Sequence, residues 1–174
     1  MIRKLIIVLL LAIITAIGCA YFRRSNHPEN RIPPAALHAL ESDSSLVLYS
    51  LSPEEDILLD SGENQRRSAA EPKFQGYRIL GQITLTSPES RGMVIDTIRD
   101  AVRDWDGAIA LCFEPRHGVR ATDASGAYDF LICFECQQIY VSSPGGIKKQ
   151  LGIHASGWQL NDILTAAHVP LPKQ

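Results

Sequence analysis

The sequence predicts an α+β domain: a small antiparallel sheet packed on one face by two helices, behind an N-terminal signal or anchor segment. Three observations predict it. Short runs rich in β-branched, aromatic and aliphatic residues, the mark of strands, recur at 46–49, 77–86, 108–113 and 130–141. Val94, Ile95, Ile98, Ala101, Val102 and Trp105 recur at three and four, and Trp158, Leu160, Ile163, Leu164 and Ala167 form a second such stripe. The order strand, helix, strand, strand, helix then gives a sheet with both helices on one face.

Taken in chain order, the first element is Arg3-Lys4 followed by the apolar run 5–17. Crossing a bilayer takes about 20 apolar residues, so this run is short for a span. It reads as the h-region of a secretory signal behind a positive n-region. Ala16-Ile17-Gly18-Cys19 resembles the lipobox of bacterial lipoproteins, with Ala16 where that family usually has a larger aliphatic residue. The resemblance implies lipidation at Cys19. An uncleaved anchor running to Tyr21-Phe22 and stopped by Arg23-Arg24, or an ordinary signal cut nearby, are the alternatives. Several acyl chains hold a membrane almost irreversibly, since each buried methylene contributes about 0.8 kcal/mol. The expected location is the cell envelope, membrane-anchored on a non-cytosolic face.

Residues 21–34 are polar and proline-bearing, as a tether is. Pro34 suits the first turn of a short helix over 35–41. After the strand at 46–49, residues 52–73 are rich in Glu, Ser, Asn and Arg and read as including a loop. The strand at 77–86 is interrupted by Gly81, a bulge signal. Ser87-Pro88-Glu89 opens the first long helix: the serine caps free amides, the proline fits the first turn, and the carboxylate faces the positive end of the dipole. Asp106-Gly107 closes that helix, Gly145-Gly146 reads as a turn, and His168 and Pro170 end the last helix. The expected organisation is 1–18 signal peptide or membrane anchor, 19–44 tether with a short helix, and 45–174 a single α+β domain.

Charge argues against nucleic acid. The chain carries a formal net charge of −2. Residues 1–18 hold two of the seventeen basic residues and none of the nineteen acidic ones, so the remainder stands at −4. Binding DNA or RNA calls for a clustered basic face, whereas Arg66-Arg67, Arg116 and Lys148-Lys149 are scattered among carboxylates. The expected partners are the membrane, through the N-terminal anchor, and another envelope protein.

The chemistry-bearing residues cluster in Cys112-Phe113-Glu114-Pro115-Arg116-His117-Gly118 and in Asp129 with Ile132-Cys133-Phe134-Glu135-Cys136. These segments resemble a family of uncharacterised bacterial exported or lipoprotein-like proteins with the pattern Cys-Phe-x-Pro-Arg-His-Gly, then an Asp before Ile-Cys-Phe-Glu-Cys. The resemblance spans residues 74–170 and implies a single domain, without an activity.

Three readings compete for the cysteines. Zinc, as a cofactor, would draw on Cys112, His117, Cys133 and Cys136, whose thiolates and imidazole are its preferred ligands. In a continuous strand, however, Cys133 and Cys136 face opposite sides. A disulfide would join Cys112 to Cys133 or Cys136 across paired strands, and an exported protein would keep it. Reduced, buried cysteines are the third reading. A thiol oxidoreductase on Cys133 and Cys136 is disfavoured, because such motifs sit at helix N-termini.

The polar candidates are Arg116, His117, Asp129 and Glu135. Residues 114–128 exceed the ~12 residues beyond which a structureless loop tends to be functional. Arg116 suits a carboxylate or phosphate, and His117 suits acid, base or ligand roles. The simpler expectation is that Arg116 pairs with Asp129 or Glu135 at the mouth of a hairpin. The favoured function is a non-enzymatic, lipid-anchored envelope domain with a binding or structural role through its cysteine-rich hairpin. The alternative is a zinc- or thiol-dependent enzyme using His117 with Cys112, Cys133 or Cys136.

Overall fold

The computed structural model describes residues 27–42, 45–53 and 71–172. The apolar run 5–17, Cys19 and most of the expected loop at 52–73 lie outside them. Among the described residues, no helix is long and apolar enough to cross a membrane.

The elements in chain order are α1 (Pro34–Glu41), β1 (Ser45–Leu51), β2 (Lys73–Phe74), β3 (Tyr77–Thr84), α2 (Pro88–Arg103), β4 (His117–Asp123), β5 (Gly126–Cys133), β6 (Gln138–Ser142), β7 (Lys148–Gly152) and α3 (Trp158–Ala166). The strands form one sheet in the order β2-β3-β1-β4-β5-β6-β7, and every adjacent pair is antiparallel. The α+β class and the antiparallel sheet are therefore as the sequence predicts. The number of helices is not, because three of them share the core.

Alternation along the strands sorts residues to two faces. Leu46 and Leu48 of β1, Val119 and Ala121 of β4, Phe130 and Ile132 of β5, and Ile139 and Val141 of β6 pack against the helices. Ala36, Ala39 and Leu40 of α1 enter this core beside Val94 and Ile98 of α2 and Leu160 and Leu164 of α3. The short helix expected within the tether thus belongs to the packed unit. Asn30 fastens its approach: the side-chain amide donates to the carbonyls of Val102 (3.1 Å) and Gly152 (2.9 Å), and its oxygen accepts from the Gly152 N–H (2.7 Å). The opposite face, open among the described residues, carries a smaller cluster of Tyr49, Leu51, Phe74 and Leu131.

Local signals explain much of this. Ser87 Oγ accepts from the Ser90 N–H at 3.3 Å, Pro88 opens α2, and Glu89 lies in its first turn. At the end of α3, His168 adopts a left-handed φ of 57°. Its N–H donates to the Thr165 carbonyl, and that of Val169 to Leu164, each at 2.9 Å, as a Schellman ending requires. The bulge signal at Gly81 is realised: Ser50 faces Gly81 but Leu51 faces Ile79, so Leu80 is the extra residue on β3. Trp158 departs from its expected place on the buried stripe and is exposed.

Three expectations fail around the cysteines. Residues 108–113 are irregular rather than a strand. Their polar backbone is tied sideways instead, with Ala110 N–H donating to the Cys136 carbonyl (3.2 Å) and Gln138 Nε2 donating to the carbonyls of Ala110 (2.5 Å) and Cys112 (3.0 Å). Residues 114–128 are not a loop. They hold β4, a tight turn and the start of β5, and Asp123 makes that turn by accepting the Ser125 N–H at 2.8 Å. The run 130–141 is not one strand either, because it reverses over residues 134–137, where Gln137 takes a φ of 56°.

Candidate functional site

The reversal between β5 and β6 brings the cysteines together. Cys133 ends β5 on the open face, the face of Leu131, and Gln138 opposite it starts β6. The four residues between turn Cys136 back, so that Cys133 and Cys136 form a disulfide with Cα atoms 5.3 Å apart. The pairing expected from sequence joined Cys112 to one of these two, and the turn overturns that geometry by making the near neighbours partners. Cys112 Sγ nevertheless lies 2.6 Å from Cys136 Sγ. Two backbone amides point at the same cluster: Glu114 N–H to Cys136 Sγ (3.4 Å) and Cys136 N–H to Cys133 Sγ (3.1 Å). Cys133 and Cys136 are 1% and 0% exposed, whereas Cys112 is exposed and is the free cysteine of the described residues.

His117 does not join them. It opens β4 on the helix face, where Nε2 meets Asn161 Oδ1 at 2.8 Å and the ring stands edge-on to Phe134. The four ligands of the zinc reading therefore do not converge, and two of them are bonded to each other. Among the described residues, no group of three or more His, Cys, Asp or Glu side chains is arranged to hold a metal. Burial lowers the His117 pKa to about 4; the Arg116 charge adds to this and the Asn161 hydrogen bond opposes it. The ring is neutral at pH 7, and Nδ1 is buried without a hydrogen-bond partner.

Arg116, His117 and Glu135 do gather, around a cavity of about 170 Å³ that Phe134, Gly157 and Asn161 also line. Arg116 pairs with Glu135 at its rim, one of the two pairings the sequence allowed. Asp129, grouped with them on sequence, is on the other side of the sheet. There Arg120 grips it with both Nε–Oδ1 and Nη2–Oδ2 at 2.7 Å, and Gln75 donates to Oδ2 at 2.6 Å. The Arg120 guanidinium also lies over the Phe74 ring, which stacks on Tyr49. Burial raises the Tyr49 phenol pKa, with Arg120 opposing and Asp129 adding.

Beside this pair the open face is hollowed. A cavity of about 370 Å³ is lined by Gln75, Gly76, Tyr77, Phe113, Leu131, Tyr140, Ser142 and Lys148. Phe113 meets Tyr140 edge-on, with ring centroids 4.5 Å apart, and follows Cys112 in the chain. An aromatic wall, a lysine at the rim and an exposed thiol next door suit a ligand or peptide with apolar body.

Sequence reasoning missed Arg120, Gln75, Asn161 and Gln138. Arg120 was legible once Asp123 to Gly126 is read as a two-residue hairpin, since counting back from that pair sets Arg120 opposite Asp129. Asn161 and Gln75 reach their partners through tertiary packing and carry no local signal.

Compared with protein-family models, curated proteins and solved structures, the chain matches none.

Proposed function

We propose that this chain is an envelope protein, exported and membrane-tethered through its first residues, whose domain binds a partner at the open sheet face beside the cysteine turn. The observation that carries the reading is the Cys133–Cys136 disulfide. Disulfides persist in oxidising compartments and are rare in a reducing cytosol, and the N-terminal run 5–17 behind Arg3-Lys4 has the pattern of an export signal. Lipidation of Cys19, in the lipobox-like sequence, would supply the tether. The hollow between Phe113, Leu131 and Tyr140 offers the apolar, partly polar lining typical of a binding site.

The test is fractionation of the full-length chain in a bacterial host, with Cys19→Ala beside it. The expected result is wild-type protein in the membrane fraction, accessible to protease once the outer layers are opened, and a Cys19→Ala chain of higher mass with its signal retained. Wild-type protein in the cytosol with reduced cysteines overturns the proposal.

A further inference from the structure

We infer that Cys112, Cys133 and Cys136 form a three-sulfur exchange relay, in which exposed Cys112 carries a buried disulfide's oxidising equivalents to a dithiol outside the protein. The inference rests on the sulfur cluster and stands apart from the membrane tether.

Sequestration is the first argument. With Cys133 and Cys136 1% and 0% exposed, an outside thiol has no approach to their bond. Cys112 is the exposed member, and its Sγ is in contact with Cys136 Sγ, at 2.6 Å. Exchange requires a thiolate to attack one sulfur of a disulfide while the other departs. Here the attacking, central and leaving sulfurs are Cys112, Cys136 and Cys133 in turn.

The second argument is provision for the charge. A departing thiolate is stabilised by hydrogen bonds to its anionic form. The Cys136 N–H already donates to Cys133 Sγ at 3.1 Å, so the leaving group has its donor in place.

The steps balance. Cys112 thiolate attacks Cys136 Sγ, the Cys112–Cys136 bond forms as Cys133–Cys136 breaks, and the electron pair leaves on Cys133, which takes up the proton Cys112 gave up. The disulfide now includes an exposed sulfur. One thiolate of an external dithiol attacks Cys112 Sγ, giving a mixed disulfide and releasing Cys136 as thiolate. The dithiol's second sulfur then attacks its first, and Cys112 departs. Two electrons and two protons pass from the dithiol to the protein, which ends a single turnover with three thiols.

The test uses the oxidised full-length chain, detergent-solubilised, with Cys112→Ser beside it. Acid quenching, alkylation with N-ethylmaleimide and peptide mapping should recover both Cys133–Cys136 and Cys112–Cys136 linkages from the wild type. Reduction by dithiothreitol, followed as the gain of alkylatable thiols, should be at least tenfold slower in Cys112→Ser, whose circular dichroism is unchanged. Cys133→Ser should hold the Cys112–Cys136 bond and, when acid-quenched during reaction with an excess of a peptide carrying one cysteine, show that peptide joined to Cys112. Equal reduction rates in wild type and Cys112→Ser, or a wild type in which Cys133 is never alkylated before reduction, overturn the relay. A single-cysteine peptide and glutathione, compared as trapping partners, separate a protein thiol from a small one, and adducts at Cys112 with neither also overturn it.

Discussion

His117 shows how one buried side chain sets a pH dependence. Its folded pKa of about 4 lies below the unfolded value near 6.5, because burial penalises the imidazolium. Above pH 6.5 both states are neutral and the stability is whole. As pH falls, the unfolded chain binds the proton first, so stability is lost between 6.5 and 4, by up to about 3 kcal/mol, and the loss levels off below 4. Urea unfolding of wild type and His117→Gln across pH 4–8 should show this as a difference in slope confined to that window. A second residue-scale expectation concerns Asp129. Removing its carboxylate strands the Arg120 guanidinium and the Gln75 amide together. Arg120 is 41% exposed, so water takes over part of that loss. Asp129→Ala should therefore cost about 1–3 kcal/mol, and Asp129→Asn less, measured as urea midpoints. The identities of these residues were legible in the sequence as candidates; their grouping was not. His117 and Asp129 stand on opposite faces because position along β4 and β5 decides the side, and that register depends on the Asp123–Gly126 turn, within a segment whose composition predicts a loop.

At the scale of elements, capped helices were legible and the strands around the cysteines were not. Ser87-Pro88-Glu89 carries its helix start in three adjacent residues, whereas β7 (Lys148–Gly152) has almost no apolar alternation and gains its place from pairing with β6. The β5–β6 turn lacks the glycine, asparagine or proline that usually announces a reversal, since Gln137 supplies the left-handed residue. The disulfide across that turn does little to restrain the unfolded chain. It links residues three apart, and loop-closure entropy for so small a ring amounts to about 2 kcal/mol. Reducing that bond with excess dithiothreitol, which leaves both side chains in place, should lower stability by no more than about that amount, which urea titration would show. Packing against the open face is of similar weight. A Cβ on Gly118 would stand 2.6 Å and 2.7 Å from the Phe74 ring carbons. Gly118→Val should destabilise by about 1–3 kcal/mol, and, because Phe74 carries the ring under Arg120, should disturb the Arg120–Asp129 pair as well.

For the molecule as a whole, the packed unit begins before the first strand, and this bears on how far the domain can stand from a membrane. Buried Leu40, Ala36 and Ala39 of α1, and the three hydrogen bonds of Asn30, tie residues 30–41 to the same core as β4, β5 and α2. A chain starting at residue 45 forfeits all of them. Burying a leucine is worth about 1.5–3 kcal/mol and each satisfied hydrogen bond about 1 kcal/mol. The fragment 45–174 should thus fall at least about 4 kcal/mol short of 27–174, a deficit comparable to the whole stability of many domains. Far-ultraviolet circular dichroism against urea would show the longer fragment unfolding cooperatively and the shorter one with a much lower midpoint or none. Equal midpoints would return α1 to the tether. If the longer fragment is the folding unit and Cys19 carries the lipid, only residues 19–26 separate the two. Eight residues reach at most about 28 Å when fully extended, so the domain would be held against the membrane surface, and a partner would have to meet the open face and Cys112 there.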